Sequence, residues 1–128
     1  MTTLDALAQI IIVEDDVTVN DFLRGRLGRR WKTSSFPDSE STLRELPPSS
    51  KRTILIIDYS LPVYTGPVLK KNLESRLPNA KYILTCGMSN VNLAEVGPAT
   101  GFNAVLAKPY RLPQLTQIID ELNRYWPD

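Results

Sequence analysis

The sequence predicts an α/β fold: a single doubly wound domain whose five-stranded parallel sheet is flanked by five helices, the fourth short or irregular. Two observations lead there. Short apolar, β-branched runs bounded by polar residues recur along the chain and read as fully buried strands. Between them lie amphipathic stretches with apolar residues at helical spacing. A third observation concerns the charged groups at the strand ends. Ile10-Ile11-Ile12-Val13 runs into Glu14-Asp15, Ile54-Leu55-Ile56-Ile57 into Asp58, and Ala104-Val105-Leu106-Ala107 into Lys108-Pro109. The edge beyond the carboxyl ends of parallel strands is where ligands bind. Three carboxylates and one ammonium are therefore expected to converge there.

Gln9–Val13 is the first strand. The helix from Val17 to about Arg30 turns Val19, Phe22, Leu23 and Leu27 to one face, with Asp15 or Asp16 free to cap it. Trp31–Phe36 is a weaker strand. Pro37-Asp38-Ser39 marks a helix start, with Ser39 as N-cap, and the helix continues to Leu46. Pro47-Pro48-Ser49-Ser50 is a polar loop before the strand Thr53–Ile57. Gly66-Pro67 opens a third helix, because proline suits a first turn that needs no N–H. Val68, Leu69, Leu73 and Leu77 form its buried stripe, and Pro78-Asn79 ends it. Lys81–Thr85 is the fourth strand. A short helix is expected around Val91–Val96, stopped by Gly97-Pro98. Asn103–Ala107 is the fifth strand. The last helix runs from Leu112 to about Tyr125, with Leu115, Ile118, Ile119 and Leu122 at helical spacing.

A chain of 128 residues fits one domain, with a core spanning about residues 9–126, and can bury that core without disulfides. Fifteen basic residues oppose fourteen acidic ones, so net charge makes no case for nucleic acid or an anionic membrane as partner. The single cysteine, Cys86, rules out an intrachain disulfide and fits a reducing compartment. Residues Met1 to Asp5 lack a signal peptide's basic region, and no apolar run approaches the ~20 residues of a membrane span. A cytoplasmic protein is expected. Histidine is absent, which excludes Ser-His-Asp and Cys-His catalysis and His-ligated zinc. Neither GxGxxG nor GxxxxGK occurs.

Glu14, Asp15 and Asp58 crowded together would repel, and one would tend to take a proton. A divalent cation removes that difficulty. With Lys108 and one Mg²⁺ the formal charges cancel, and an all-oxygen ligand set suits Mg²⁺. Such a site can accept a phosphoryl group, whose transfer asks mostly for positioning and charge stabilisation. A carboxylate can act as nucleophile and form an acyl phosphate. Asp58, alone at the end of the strand expected to be central, is the best candidate. Thr85 ends its strand at the same edge, where its hydroxyl can meet a phosphoryl oxygen. Lys108 offers a compact point charge to another.

These elements together resemble the receiver domain of two-component response regulators, a CheY-like, flavodoxin-like fold. The matching residues are Val13-Glu14-Asp15, Asp58-x-x-x-Pro62-x-x-x-Gly66, Leu84-Thr85 and Lys108-Pro109, in the family's order from Ile10 to Trp126. The resemblance implies that Asp58 is the phosphoacceptor, Thr85 the switch hydroxyl and Lys108 the ion-pairing lysine. It implies Mg²⁺ bound by Asp15 directly, by Glu14 through water, by Asp58 and by the backbone carbonyl of Ser60. It also implies a cis peptide bond at Pro109 and a signalling switch rather than an ordinary enzyme. The phosphoryl donor would be a phosphohistidine on a kinase or phosphotransfer protein. The output would be a downstream protein or an attached output domain.

The sequence also departs from the family. Receivers often carry an aromatic residue where Val105 stands, which speaks against an aromatic-coupled switch. Ser60 and Gly87 occupy positions that tune dephosphorylation, and both are small. Arg24, Arg26, Arg29, Arg30 and Lys32 read as a solvated face, or more sharply as a surface for docking the histidine-bearing partner. Cys86 reads as a small buried hydrophobe and Tyr110 as a packing residue. Two other functions compete. One is an interaction module indifferent to phosphorylation, motivated by Val105 and the irregular stretch from Cys86 to Gly101. The other is an aspartate-nucleophile phosphatase, which would want an acid where Ser60 stands.

Overall fold

Five strands too short to be stable alone hydrogen-bond side by side, every neighbouring pair parallel. The computed structural model describes residues 7–87 and 101–126. Its elements are β1 (Gln9–Val13), α1 (Val17–Leu27), β2 (Thr33–Phe36), α2 (Ser39–Glu45), β3 (Thr53–Asp58), α3 (Gly66–Leu73), β4 (Ala80–Cys86), β5 (Ala104–Ala107) and α4 (Leu112–Arg124). The sheet order is β2-β1-β3-β4-β5. The predicted helix at 91–96 lies outside the described residues.

Strand alternation divides the core. Ile11, Val13, Leu55, Ile57 and Leu84 pack on one face with Leu69 and Leu73 of α3. Ile10, Ile12, Ile54, Ile56 and Ile83 pack on the other with Leu23 and Leu27 of α1 and Leu115 and Ile119 of α4. All six residues of β3 are buried, as a strand covered on both faces requires. The chain leaves β1 for β2 on one side and returns to β3 on the other. That reversal opens a crevice beyond the ends of β1 and β3, the usual ligand position in such sheets.

Several expectations need correcting locally. α1 stops at Leu27, because Gly28 caps it and donates its N–H to the Arg24 carbonyl at 3.0 Å. Phe22 lies off the buried stripe, 49% exposed, with the Arg26 guanidinium 5.6 Å from its ring centroid. Val68 is likewise 44% exposed. The N-cap of α2 is Asp38 rather than Ser39: its Oδ1 accepts the Ser41 N–H at 2.7 Å. Asp16, in contrast, does cap α1, accepting from the Val19 N–H at 3.2 Å. Among the described residues no helix is long and apolar enough to cross a membrane.

Candidate functional site

Glu14 comes directly after β1 and is carried into the sheet edge with only 3% exposure. Its Oε2 accepts the Asp16 N–H at 3.2 Å and its Oε1 accepts from Lys108 Nζ at 2.8 Å. Asp15, the next residue, is exposed to solvent. Asp58 is the last residue of β3 and is 5% exposed. Carboxylate oxygens of Glu14, Asp15 and Asp58 all lie within 4.8 Å of one another. Lys108 Nζ lies 3.3 Å from Asp58 Oδ2. The lysine is seated by its own N–H, which bonds the Cys86 carbonyl at 2.8 Å, and it precedes a cis Lys108–Pro109 peptide.

Thr85 is buried in register with Asp58 on the adjoining strand, and its carbonyl accepts the Tyr59 N–H at 2.8 Å. Ser60 is exposed in the loop just beyond Asp58. That loop is pulled tight where the Gly66 N–H bonds the Tyr59 carbonyl at 2.9 Å. A Cβ on Gly66 would stand 2.6 Å from the Asp58 carbonyl oxygen, so only glycine lets α3 begin this close to β3.

Crowding sets the electrostatics. Burial, with Asp58 adding to it, holds the Glu14 carboxyl above its ordinary range despite hydrogen bonds from Lys108 and the Asp16 N–H. Burial works to lower the Lys108 ammonium, but its hydrogen bond to Glu14 and the charges of Asp58 and Glu14 outweigh that and raise it. Burial, then the Asp58 charge, raises the Cys86 thiol, which is 1% exposed and behaves as a core residue. Three carboxylates against one ammonium leave a surplus of negative charge in a partly buried place. The all-oxygen donor set, the close approach and solvent access through Asp15 fit Mg²⁺, which keeps several waters.

Two contributors are not evident from the sequence. Asn20, on the buried side of α1, donates from Nδ2 to the Glu14 carbonyl at 2.9 Å and the Phe36 carbonyl at 3.0 Å. It ties the acidic loop to the end of β2. Its one signal is a polar residue in the stripe shared with Leu23 and Leu27. Ser39 is fully buried and donates from Oγ to the Pro62 carbonyl at 2.9 Å, holding the loop after Asp58.

A doubly wound sheet with acids and a lysine at its switch point defines a class, and comparison with known proteins identifies it. The family model described as "Response regulator receiver domain" matches residues 10–120, and the chain belongs to that family. Among solved structures, FixJ-N is similar with a TM-score of 0.81 at 20% identity, covering 100% of this chain and 99% of that one. The Francisella response regulator 1452 receiver domain gives 0.78 at 21% identity, covering 91% of this chain and 97% of that one. An adenylate cyclase from Rhodopirellula baltica gives 0.80 at 18% identity, covering 90% of this chain and 86% of that one. NtrX from Brucella abortus gives 0.77 at 21% identity, but the likeness spans 89% of this chain and only 26% of that one. At these identities the likeness concerns the fold. No curated sequence gives a significant match.

Proposed function

We propose that residues 1–128 form one receiver unit that accepts a phosphoryl group on Asp58 from a partner's phosphohistidine. The observation that carries this reading is the buried Asp58 carboxylate, gathered with Glu14 and Asp15 and 3.3 Å from Lys108. An Asp58 carboxylate oxygen attacks phosphorus; the O–P bond forms as the P–N bond breaks, and the imidazole leaves with its electron pair. Asp15, Asp58, the Ser60 carbonyl and, through water, Glu14 would hold Mg²⁺, which supplies charge neutralisation at the phosphoryl oxygens. Lys108 turns from Glu14 toward a phosphoryl oxygen, and the Thr85 hydroxyl bonds another.

The new charge and oxygens thereby shift a two-state population of the surrounding loops, which a partner reads. With Val105 in place of an aromatic, that readout runs through Thr85 and the loops rather than through a swinging ring. Partners are a histidine kinase or phosphotransfer protein upstream, and a target protein or attached output domain downstream, in the cytoplasm. The NtrX likeness, confined to about a quarter of that longer chain, is consistent with an attached domain. The phosphatase reading loses ground, since the receiver family consists of signalling switches.

The test is to incubate the protein with Mg²⁺ and a small phosphodonor and weigh it intact. Wild type gains one phosphoryl group and Asp58→Asn gains none. An equal adduct on both, or none on wild type, removes the proposal.

A further inference from the structure

The near-zero net charge conceals a segregated one. At the carboxyl end of the sheet stand Glu14, Asp15, Asp16 and Asp58. At the amino end, a concavity of about 780 Å³ is lined by Arg29, Arg30, Lys32, Lys51 and Arg52. The two ends are separated by the length of β1, roughly 16 Å for the five residue steps from Gln9 to Glu14. Of the five cations, Arg30 is paired with Asp120 at 2.7 Å. Arg29, Lys32 and Lys51 are exposed and form no ion pair among the described residues. The same end affects Lys81 at the start of β4: burial first, then the charge of Arg52, holds its ammonium below the usual range. Among the described residues, Arg29, Lys32 and Lys51 thus bring positive charge to this end without an acidic side chain against them.

The cavity has a second character. Leu7, Ala8 and Trp31 contribute apolar wall, and the Arg30 guanidinium lies over the Trp31 ring, 4.2 Å from its centroid. Its volume falls within the roughly 300–1,000 Å³ of small-molecule sites. Several cations in one concavity demand dense negative charge. Successive phosphoryl groups supply that within a few ångströms, whereas same-side acidic residues on an extended peptide sit about 6.6 Å apart. The guanidinium fork matches phosphate oxygens two at a time.

We propose that this cavity binds a compact polyphosphate, free or as the tail of a nucleotide, at the end of the sheet remote from Asp58. The test is calorimetric titration of Asp58→Asn protein without Mg²⁺, so that the acidic end takes no part. The probes are inorganic tripolyphosphate, ATP and an oligoglutamate peptide of matched charge. Both phosphate probes bind, and the peptide binds at least about tenfold more weakly. ATP tighter than tripolyphosphate assigns the apolar wall to a base; equal affinity assigns the site to the phosphate chain alone. Lys32→Glu with Lys51→Glu weakens phosphate binding about tenfold or more, and Lys32→Gln with Lys51→Gln by less, while both retain the melting temperature of the parent. Absence of phosphate binding, peptide binding of equal strength, or affinity unmoved by charge reversal overturns the proposal.

Discussion

Lys108 Nζ lies closer to Glu14 Oε1, at 2.8 Å, than to Asp58 Oδ2, at 3.3 Å. The ammonium thus neutralises chiefly the more deeply buried acid and leaves the Asp58 carboxylate the less tightly held of the two. To turn toward a new anion on Asp58, the lysine gives up its shorter contact, the one to Glu14.

Glu14 gives the metal-free protein a pH signature. Its carboxyl is held above its ordinary value in the fold, chiefly by burial, so the folded chain binds that proton more tightly than the unfolded chain. Stability from this source is present at low pH and lost as pH rises through the folded value. Without Mg²⁺, the melting temperature rises as pH falls through the folded value toward the ordinary carboxylate range. Glu14→Gln abolishes that rise. With Mg²⁺ the trend reverses, because protonation of Glu14 weakens the site. Differential scanning calorimetry across this range checks both signs.

Gly66→Ala puts a methyl group 2.6 Å from the Asp58 carbonyl oxygen, a backbone atom that cannot swing aside, and 3.1 Å from Ile57 Cγ2. The start of α3 must move away from the end of β3. The expected cost is about 1–3 kcal/mol in urea unfolding, with slower phosphodonor labelling because Asp58 shifts with its backbone.

Val63 stands at φ +68° in the loop after Asp58, a rare conformation for a β-branched residue. The Tyr64 N–H bonds back to the Pro62 carbonyl at 2.8 Å across it, and Ser39 Oγ accepts the same N–H at 3.3 Å. The side chain is 69% exposed, so little packing is lost with it. Val63→Gly is expected to raise stability by about 1 kcal/mol, the relieved strain exceeding the added freedom of the unfolded chain. Chemical denaturation measures it.

Asn20→Ala deprives the carbonyls of Glu14 and Phe36 of a buried donor. A loss of about 1–3 kcal/mol is expected, together with weaker Mg²⁺ binding, since the acidic loop loses its tie to β2. Equilibrium unfolding and a Mg²⁺ titration read the two effects separately.

The strands are legible in the sequence because their apolar runs are short, β-branched and bounded by polar residues, as at Ile10–Val13 and Ile54–Ile57. Their charged ends are legible because a parallel sheet brings all carboxyl ends to one edge. Helix faces are less so. Phe22 fits an apolar stripe by spacing, yet the buried face of α1 runs through Asn20, Leu23 and Leu27 and leaves half of it in solvent. Asp38 and Ser39 are both good cap formers, and only the three-dimensional path of the loop after Asp58 decides which one caps and which one reaches Pro62. Asn20 and the basic concavity are hidden for the same reason. Each depends on segments distant in sequence, such as residues 14 and 36, or 29 and 52, meeting in space.

The central claim is that the buried carboxylate at the end of β3 is the group that attacks phosphorus. It is tested most directly by locating the adduct: treat the labelled protein with borohydride, which reduces an acyl phosphate to the alcohol, and sequence the peptides by mass spectrometry. Conversion at residue 58 alone, present with Mg²⁺ and lost when it is chelated, is the predicted result. Conversion at Asp15 or elsewhere, or labelling that ignores chelation, contradicts it.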